Sequence, residues 1–363
     1  MTLPAMMELN YTAYGQTLYQ WAGDNRIPIS GGIEITHRCN LRCVHCYIAS
    51  DKYPKEVDTA GWIKIIDQIA DAGCLWFYIT GGEPMIRPDF LDIYLHAKKR
   101  GMFVTVLSNA TCITDEIADT FEKYPPQTVE ISMYGATPET FDRVGKVKNG
   151  YKRFMQGLEK LIVRKIPFEL KTIALRENAH EVIRIRKFAE RLGVSFRYDA
   201  VVNARVDYKQ SPYLHQLTPA EVVELEKQDD VRKSQWQSYC SNHLNQAGSD
   251  DLYRCGAGRS TFNVDPYGRL SVCLLSRRPN YPVLQGSFLE GWKDAVQKEI
   301  SKKRGKDLPC TNCNLYALCG NCPGYSELRG GEQELQMKEL CEIAIRRAEA
   351  FEITYDKQEH HKL

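Results

Sequence analysis

A chain of 363 residues is long enough for one large domain and a smaller one, or for two domains of ordinary size. Its 48 lysines and arginines nearly balance its 46 aspartates and glutamates, and this net charge of +2 gives no basic surface that would predict nucleic-acid binding. No apolar run reaches the roughly 18 residues of a membrane-spanning helix, and a signal-peptide pattern is missing, so we expect a cytoplasmic protein. In that reducing compartment the 13 cysteines favour metal or catalytic sites over disulfides.

The first cysteines form a C-x3-C-x2-C triplet, namely Cys39, Cys43 and Cys46. Four-iron clusters normally use four cysteine ligands, so a loop that supplies three leaves one iron open to another ligand. A structural zinc site is the alternative interpretation. It needs a fourth nearby ligand, and His37 and His45 stand at unusual spacings for a zinc motif.

Short apolar segments alternate with longer amphipathic ones from residue 31 onward, and glycines or turns separate them. The predicted strands are 33–36, 75–80, 102–107, 129–133, 168–174 and 194–200. The predicted helices are 59–72, 88–99, 115–123, 151–164 and 179–192. This alternation predicts an α/β fold with parallel strands and right-handed crossovers, in the form of an open, partial (β/α)6 barrel. In such barrels the chemistry gathers at the carboxyl ends of the strands, where the cysteine triplet begins.

Beyond residue 200 the alternation ends. A helix is predicted from Thr218 to about residue 230, because Thr218 and Pro219 form a typical helix start. From about Cys240 the chain becomes rich in cysteine, which predicts a second domain. Within it, residues 262–272 are expected to form a β-hairpin with a turn at 266–268.

Polar or glycine-rich motifs follow the predicted strands. The second strand runs into Gly81-Gly82-Glu83-Pro84, where a double glycine lets backbone carbonyls approach a ligand. An ordinary strand-to-helix turn is the alternative explanation for that motif taken alone. Ser108 and Asn109 end the third strand, and Ser132 lies near the end of the fourth.

The triplet and these strand-end motifs resemble the radical S-adenosylmethionine (SAM) superfamily. The resemblance implies a [4Fe-4S] cluster on the triplet, with the open iron chelated by SAM. It further implies that Gly81–Pro84 grip the SAM amino group and that Ser132, Ser108 and Asn109 contact SAM. Arg153 is the expected partner of the SAM carboxylate. The implied chemistry is reductive cleavage of SAM to a 5′-deoxyadenosyl radical, which abstracts hydrogen from the substrate.

The C-terminal cysteines resemble those of the SPASM domain, which holds two auxiliary [4Fe-4S] clusters. The resemblance assigns one set to an outer cluster, comprising Cys310, Cys313, Cys319 and Cys341. It assigns a second set to an inner cluster, comprising Cys255, Cys273 and Cys322. Position 261, where some relatives have a further cysteine, is Thr, so the inner cluster has an open iron or recruits Cys240. The expected organisation is an extension (1–30), a radical SAM barrel (31–217), a bridging helix (218–250) and a SPASM domain (251–363).

Other interpretations of the cysteines stay open at this point. The pairs Cys310/Cys313 and Cys319/Cys322 could form a zinc ribbon. Cys74, Cys112 and Cys240, each taken alone, are typical of plain buried thiols.

The resemblance implies a radical SAM oxidoreductase that modifies a ribosomally synthesised precursor peptide by cross-linking, epimerisation, oxidation or excision. The expected partners are the peptide, a flavodoxin- or ferredoxin-type electron donor, and a separate leader-binding protein, because about thirty residues before the first strand are too few for a leader-binding domain. The alternative is a dehydrogenase or epimerase of a sugar, a cyclitol or a tetrapyrrole side chain. A non-enzymatic electron carrier is a third hypothesis, which the SAM-gripping motif argues against.

Overall fold

The computed structural model describes residues 11–48, 54–243, 250–305, 308, 310–311 and 313–353. The strands are β1 Ser30–Thr36, β2 Trp76–Gly81, β3 Phe103–Ser108, β4 Thr128–Ser132, β5 Phe168–Ile173, β6 Phe196–Asp199, β7 Thr261–Val264, β8 Arg269–Ser271 and β9 Pro279–Pro282. Within these ranges no helix is both long and apolar enough to cross a membrane.

The barrel helices are α1 Tyr11–Asp24, α2 Thr59–Asp71, α3 Phe90–Lys99, α4 Asp115–Lys123, α5 Pro138–Gly145, α6 Gly150–Val163 and α7 Val182–Leu192. The later helices are α8 Pro219–Lys227, α9 Asp230–His243, α10 Phe288–Glu290, α11 Gln297–Ile300, α12 Tyr316–Cys319, α13 Pro323–Gly330 and α14 Lys338–Ala350. A π-helical segment, Gly291–Val296, joins α10 to α11, and short 3-10 turns lie at Pro84–Ile86, Ala179–Glu181 and Ser211–His215.

Strands β1 to β6 pair in chain order and in parallel, which confirms the predicted partial α/β barrel. Apolar strand residues such as Ile33, Ile35, Val104 and Val106 belong to the core cluster that the covering helices pack against. Helix α2 illustrates the covering layer: Asp58 caps its first turn by accepting from the Gly61 N–H at 2.8 Å, and its buried face follows helical spacing. That face consists of Trp62, Ile65, Ile66 and Ile69.

Two short helices, α8 and α5, show where local sequence signals predict a helix and where they do not. Helix α8 begins with a complete capping box, in which Thr218 and Glu221 satisfy each other's backbone N–H groups, as the helix-start motif predicts. Helix α5 is absent from the predicted elements. Its eight residues place Thr140, Phe141 and Val144 against the core, a stretch too short for a periodic pattern to stand out in the sequence.

The C-terminal part of the chain shares the barrel's sheet. The predicted hairpin forms from β7 and β8, but β7 also pairs in parallel with β1, so the sheet has nine strands in the order β6-β5-β4-β3-β2-β1-β7-β8-β9. The sequence pattern alone places this hairpin in a separate domain. Pairing with β7 covers the edge of β1 and brings the cysteine-rich segment beside the first cysteine loop.

A buried ion pair reinforces this junction. Glu34 on β1 is fully buried and accepts hydrogen bonds from Asn263 on β7 at 2.8 Å and from Arg277 at 2.5 Å. Burial by itself would raise the pKa of Glu34, but Arg277 and His37 outweigh burial and hold this pKa at about 2. The carboxylate is therefore ionised and ties β1 to the C-terminal segment.

Candidate active site

The cysteine loop leaves the carboxyl end of β1 and is held by backbone hydrogen bonds on both sides. Arg42 and Val44 donate their N–H groups to the carbonyls of Gly145 (2.9 Å) and Val144 (3.0 Å) at the end of α5. The Tyr47 carbonyl accepts from the Val206 N–H at 2.8 Å. The loop is thus positioned by the barrel's own backbone.

The three thiols of the triplet lie close enough to influence one another. Burial raises the pKa of Cys39 to about 12, and the nearby Glu83 and Cys46 raise it further. Burial also raises the pKa of Cys43, with Cys46 and Cys39 adding to the effect. Such thiols resist ionisation unless a cationic centre compensates their charge.

The donor set fits an iron–sulfur cluster. Within the parts of the chain that the structure describes, no three His, Cys, Asp or Glu side chains converge tightly enough to share one metal ion. A four-iron cluster is larger than a single ion, so its thiolate ligands stand further apart, and its iron supplies the positive charge that buried thiolates need. Cys39, Cys43 and Cys46 supply three thiolates from one loop, which is a donor set that fits such a cluster.

Both glycines after β2 pack against the entry to the cysteine loop. A Cβ atom on Gly81, whose φ is +141°, would stand 2.1 Å from the Thr36 carbonyl oxygen, and one on Gly82 would stand 2.2 Å from that of Arg38. The Gly82 N–H donates to Thr36 at 2.7 Å, and the Glu83 N–H donates to Arg38 at 3.0 Å. The close approach that glycine permits here is between β2 and the cysteine loop.

Glu83 fixes the carboxyl end of the neighbouring strand, β3, beside the site. It is fully buried and accepts hydrogen bonds from the Ser108 hydroxyl at 2.9 Å and the Asn109 N–H at 2.8 Å. Burial raises the pKa of Glu83 to about 7, while these donors act in the opposite direction. Asn109 in turn donates to the Asn40 side chain at 3.0 Å and faces the Cys39 sulfur at 3.7 Å. Pro84 begins a buried 3-10 turn behind Glu83.

A cavity of about 680 Å³ opens at the carboxyl ends of the strands. It brings most of the sequence-predicted site residues together, namely Cys39, Cys43, Cys46, Gly81, Gly82, Ser108, Asn109 and Ser132. Glu83 and Pro84 lie buried behind the cavity wall. Arg153 is exposed on α6 and does not line the cavity, so the structure does not bring it to this site.

Residues 33–189 match the family model described as the radical SAM superfamily. This segment is a radical SAM domain. The chain is 31% identical over 168 residues to the PqqA peptide cyclase of Ruegeria pomeroyi, an alignment covering 46% of this chain and 45% of that protein. It is 27% identical over 330 residues to the mycofactocin maturase MftC of Mycobacterium ulcerans, covering 88% and 87%. Thus the match spans under half of the cyclase but most of the maturase.

The fold is shared with a solved structure, Streptococcus suis SuiB bound to the precursor peptide SuiA. The TM-score is 0.70 at 15% identity, with 94% of this chain and 83% of SuiB covered. The likeness therefore extends beyond the radical SAM domain into the cysteine-rich segment.

Polar residues that sequence reasoning missed also line the cavity. Lys171 on β5 and Arg197 on β6 line it and share the Glu130 carboxylate, at 2.9 Å and 2.6 Å respectively. Asp199 at the end of β6 lines the same wall. Lys171 and Arg197 both lie in predicted strands. The sequence signal that could have found them is a polar residue in a strand of the barrel, which is also the signal that points to Ser132.

A half-buried histidine within the triplet, His45, was missed as a site residue as well. Burial lowers the pKa of His45 to about 4, with a further contribution from His215, so the ring is neutral near pH 7. It packs edge-on against Tyr134, with ring centroids 5.2 Å apart, and both residues line the cavity. His45 thus contributes a neutral ring to the cavity wall next to the thiols.

The later cysteines fall into two spatial groups. In the first, burial raises the pKa of Cys322, and Cys273 and Cys255 raise it further. The Cys273 sulfur also accepts a hydrogen bond from the Ser276 N–H at 3.3 Å. We call Cys255, Cys273 and Cys322 the inner cysteine group. The side chain of Cys240, the expected alternative ligand, lies outside the described residues.

The outer cysteine group consists of Cys310, Cys313, Cys319 and Cys341. Cys319 donates a hydrogen bond to Cys341, which raises the pKa of Cys319 and lowers that of Cys341. Burial raises the pKa of Cys310, and Cys341 adds to that effect. Cys313 is an electrostatic neighbour of Cys319. The cysteines that influence one another belong to the same sets that the SPASM resemblance implies, and their binding of two clusters stays a prediction.

Proposed function

We propose that this protein is a radical SAM oxidoreductase that modifies a ribosomally synthesised precursor peptide. The observation that carries the proposal is the cavity, where the three thiols of one loop face the double glycine and the polar ends of β3 and β4. A site built only to carry electrons has no need of a 680 Å³ cavity beside its thiols.

In this proposal Cys39, Cys43 and Cys46 hold a [4Fe-4S] cluster, and SAM lies in the cavity. When bound, the pair supplies one-electron cleavage of SAM to a carbon radical that abstracts hydrogen from the substrate. The protein itself orients SAM and encloses it in the cavity. Backbone groups of Gly81 and Gly82 line the SAM side of the cavity, and the Ser132 hydroxyl offers a polar contact.

We further propose that Lys146 replaces Arg153 as the partner of the SAM carboxylate. Lys146 lines the cavity, and within the part of the chain that the structure describes its ammonium group has no carboxylate partner. The structure gives Arg153 no such access. Ser108 and Asn109 stay proposed contacts of SAM. Their hydrogen bonds to Glu83 hold them at the carboxyl end of β3.

Two auxiliary [4Fe-4S] clusters complete the proposal, one on the inner and one on the outer cysteine group. Clusters held there would accept one electron from the substrate radical that hydrogen abstraction leaves, and loss of that electron together with a proton would complete a two-electron oxidation of the substrate. A flavodoxin- or ferredoxin-type protein is the proposed source of the electron that starts the reaction. A separate leader-binding protein is the proposed partner that delivers the peptide.

The peptide substrate is supported by the matched proteins. One is named a peptide cyclase, one is a maturase aligned over 87% of its length, and SuiB was solved with its precursor peptide. The competing substrate class is a small molecule such as a sugar, a cyclitol or a tetrapyrrole.

The radical SAM part of the proposal is tested by SAM cleavage. Anaerobically reconstituted protein with SAM and dithionite should form 5′-deoxyadenosine, and the variant with Cys39, Cys43 and Cys46 changed to Ala should form none. Cys74→Ala is the matched control, because Cys74 is a buried thiol that does not line the cavity. Product formation by the triple variant would overturn the assignment.

The substrate class is tested with a short peptide encoded beside the gene. Incubation of that peptide with the active protein should change its mass by a whole number of hydrogens or a lost fragment, as read by mass spectrometry. An unchanged peptide, together with turnover of a sugar or tetrapyrrole under the same conditions, would contradict the peptide assignment and show that the substrate is a small molecule.

A further inference from the structure

A stack of two arginines and a tyrosine lies beside the auxiliary cysteine groups, and its Arg304 lines one small cavity together with Cys310 and Cys322. The guanidinium carbons of Arg254 and Arg304 lie 4.4 Å and 4.9 Å from the centroid of the Tyr316 ring. Arg304 also donates to the Tyr316 hydroxyl at 3.1 Å, and Arg254 donates to the Thr311 carbonyl at 2.9 Å. Cation–π contacts and these hydrogen bonds hold both positive charges in place.

The charges of the stack interact with cysteines of both groups. On the outer side, burial and Arg304 lower the pKa of Arg254, whereas Tyr316, Cys310 and Cys313 raise it. On the inner side, burial raises the pKa of Tyr316, the two arginines oppose that effect, and Cys322 and Cys255 add to it. Sequence explains part of this closeness, since Arg254 precedes Cys255 and Tyr316 follows Cys313 by three positions.

Geometry places both charges beside the outer group. Arg304 lines the same small cavity as Cys310, and Arg254 donates to the carbonyl of Thr311, the residue that follows Cys310. The two guanidinium groups are therefore positioned to compensate the negative charge of a thiolate at Cys310. A guanidinium stays charged at every pH of interest, so this compensation is permanent.

Fixed positive charge beside an iron–sulfur cluster favours its reduced form, because reduction adds a negative charge. We propose that the Arg254–Tyr316–Arg304 stack raises the reduction potential of the cluster held by the outer cysteine group. The inference rests on the auxiliary clusters of the proposed function. It assigns these three residues a tuning role, since none of them supplies a ligand.

The test is a redox titration of the reconstituted full chain, followed by electron paramagnetic resonance. Arg304→Gln should shift the reduction equilibrium of the outer cluster about tenfold toward the oxidised form, which is about 59 mV for a one-electron couple. Arg304→Lys keeps the charge and should retain most of the original potential. Tyr316→Leu removes the ring that holds both guanidinium groups and should lower the potential as Arg304→Gln does.

Arg269→Gln is the control, because Arg269 is exposed on β8, where its side chain contacts Asn280, and its replacement removes the same charge outside the stack. The potential of this variant should match that of the unaltered protein. The tuning role is overturned if Arg304→Gln leaves the potential unchanged at full iron content, or if Arg304→Lys lowers it equally. About four irons per unaltered chain, without auxiliary signals, would instead overturn the auxiliary clusters and the tuning role together.

Discussion

Gly82 carries a steric constraint that is visible only in three dimensions. Its φ is not in the left-handed region, yet a Cβ atom would meet the Arg38 carbonyl oxygen at 2.2 Å and the His37 carbonyl oxygen at 2.8 Å. Both are backbone atoms that cannot swing away. Because Arg38 immediately precedes Cys39, we expect Gly82→Ala to displace the first cysteine, lower bound iron by about four atoms per chain and reduce 5′-deoxyadenosine formation at least about tenfold.

Gly15→Ala provides the comparison for that substitution. Gly15 lies in α1, and no atom stands within 4 Å of the position that its added methyl group would take, so the extra carbon meets open space. Iron content and product rate should stay unchanged. Normal values for Gly82→Ala would mean that the loop tolerates the displacement and that the steric argument is wrong.

At the scale of elements, the ion pair between Glu34 and Arg277 links β1 to the C-terminal segment. Glu34→Gln leaves the largely buried Arg277 guanidinium without its charged partner, so we expect the free energy of unfolding at pH 7 to fall by about 3 kcal/mol. Because the folded-state pKa of Glu34 is lowered from 4.5 to about 2, its stabilisation is complete above pH 4.5 and is lost as the pH falls through 2. Urea unfolding at several pH values measures this difference.

The gap between the unaltered protein and Glu34→Gln should therefore narrow from pH 4.5 toward pH 2. Glu342→Gln is the matched control, since Glu342 pairs with Arg346 on the exposed face of α14 and should cost less than about 1 kcal/mol. A gap that stays constant with pH would show that the loss at Glu34 comes from packing.

At the scale of the whole molecule, the barrel and the cysteine-rich segment share one sheet. A fragment ending at residue 250 would lose β7, so the outer edge of β1 would be open and Glu34 would lose Asn263 and Arg277. We expect this fragment to aggregate, because an unpaired edge and an uncompensated buried carboxylate are both costly. Size-exclusion chromatography of the fragment, with the full chain as reference, measures this aggregation. A monomeric, folded fragment would contradict the expectation.

Iron content reports on the whole arrangement of cysteines. Three four-iron clusters predict about twelve irons per chain, and Cys322→Ala should lower this to about eight, because Cys322 belongs to the inner group alone. Cys74→Ala should leave the value unchanged. Stoichiometric zinc or a total of about four irons in the unaltered protein would rule out the auxiliary clusters and favour a zinc ribbon.

The amino-acid sequence by itself determined the alternation of strands and helices and the triplet Cys39, Cys43 and Cys46, whereas the division of the later cysteines into two sets rests on the SPASM resemblance. These features are local, because strand–helix periodicity and ligand spacing are written within short stretches of chain. The tertiary structure decided what depends on contacts between distant segments. It joined β7 to β1, turned the double glycine against the cysteine loop, left Arg153 outside the cavity and brought Lys171 and Arg197 into it. Spacing cannot give these results, because each depends on which segments the fold packs together.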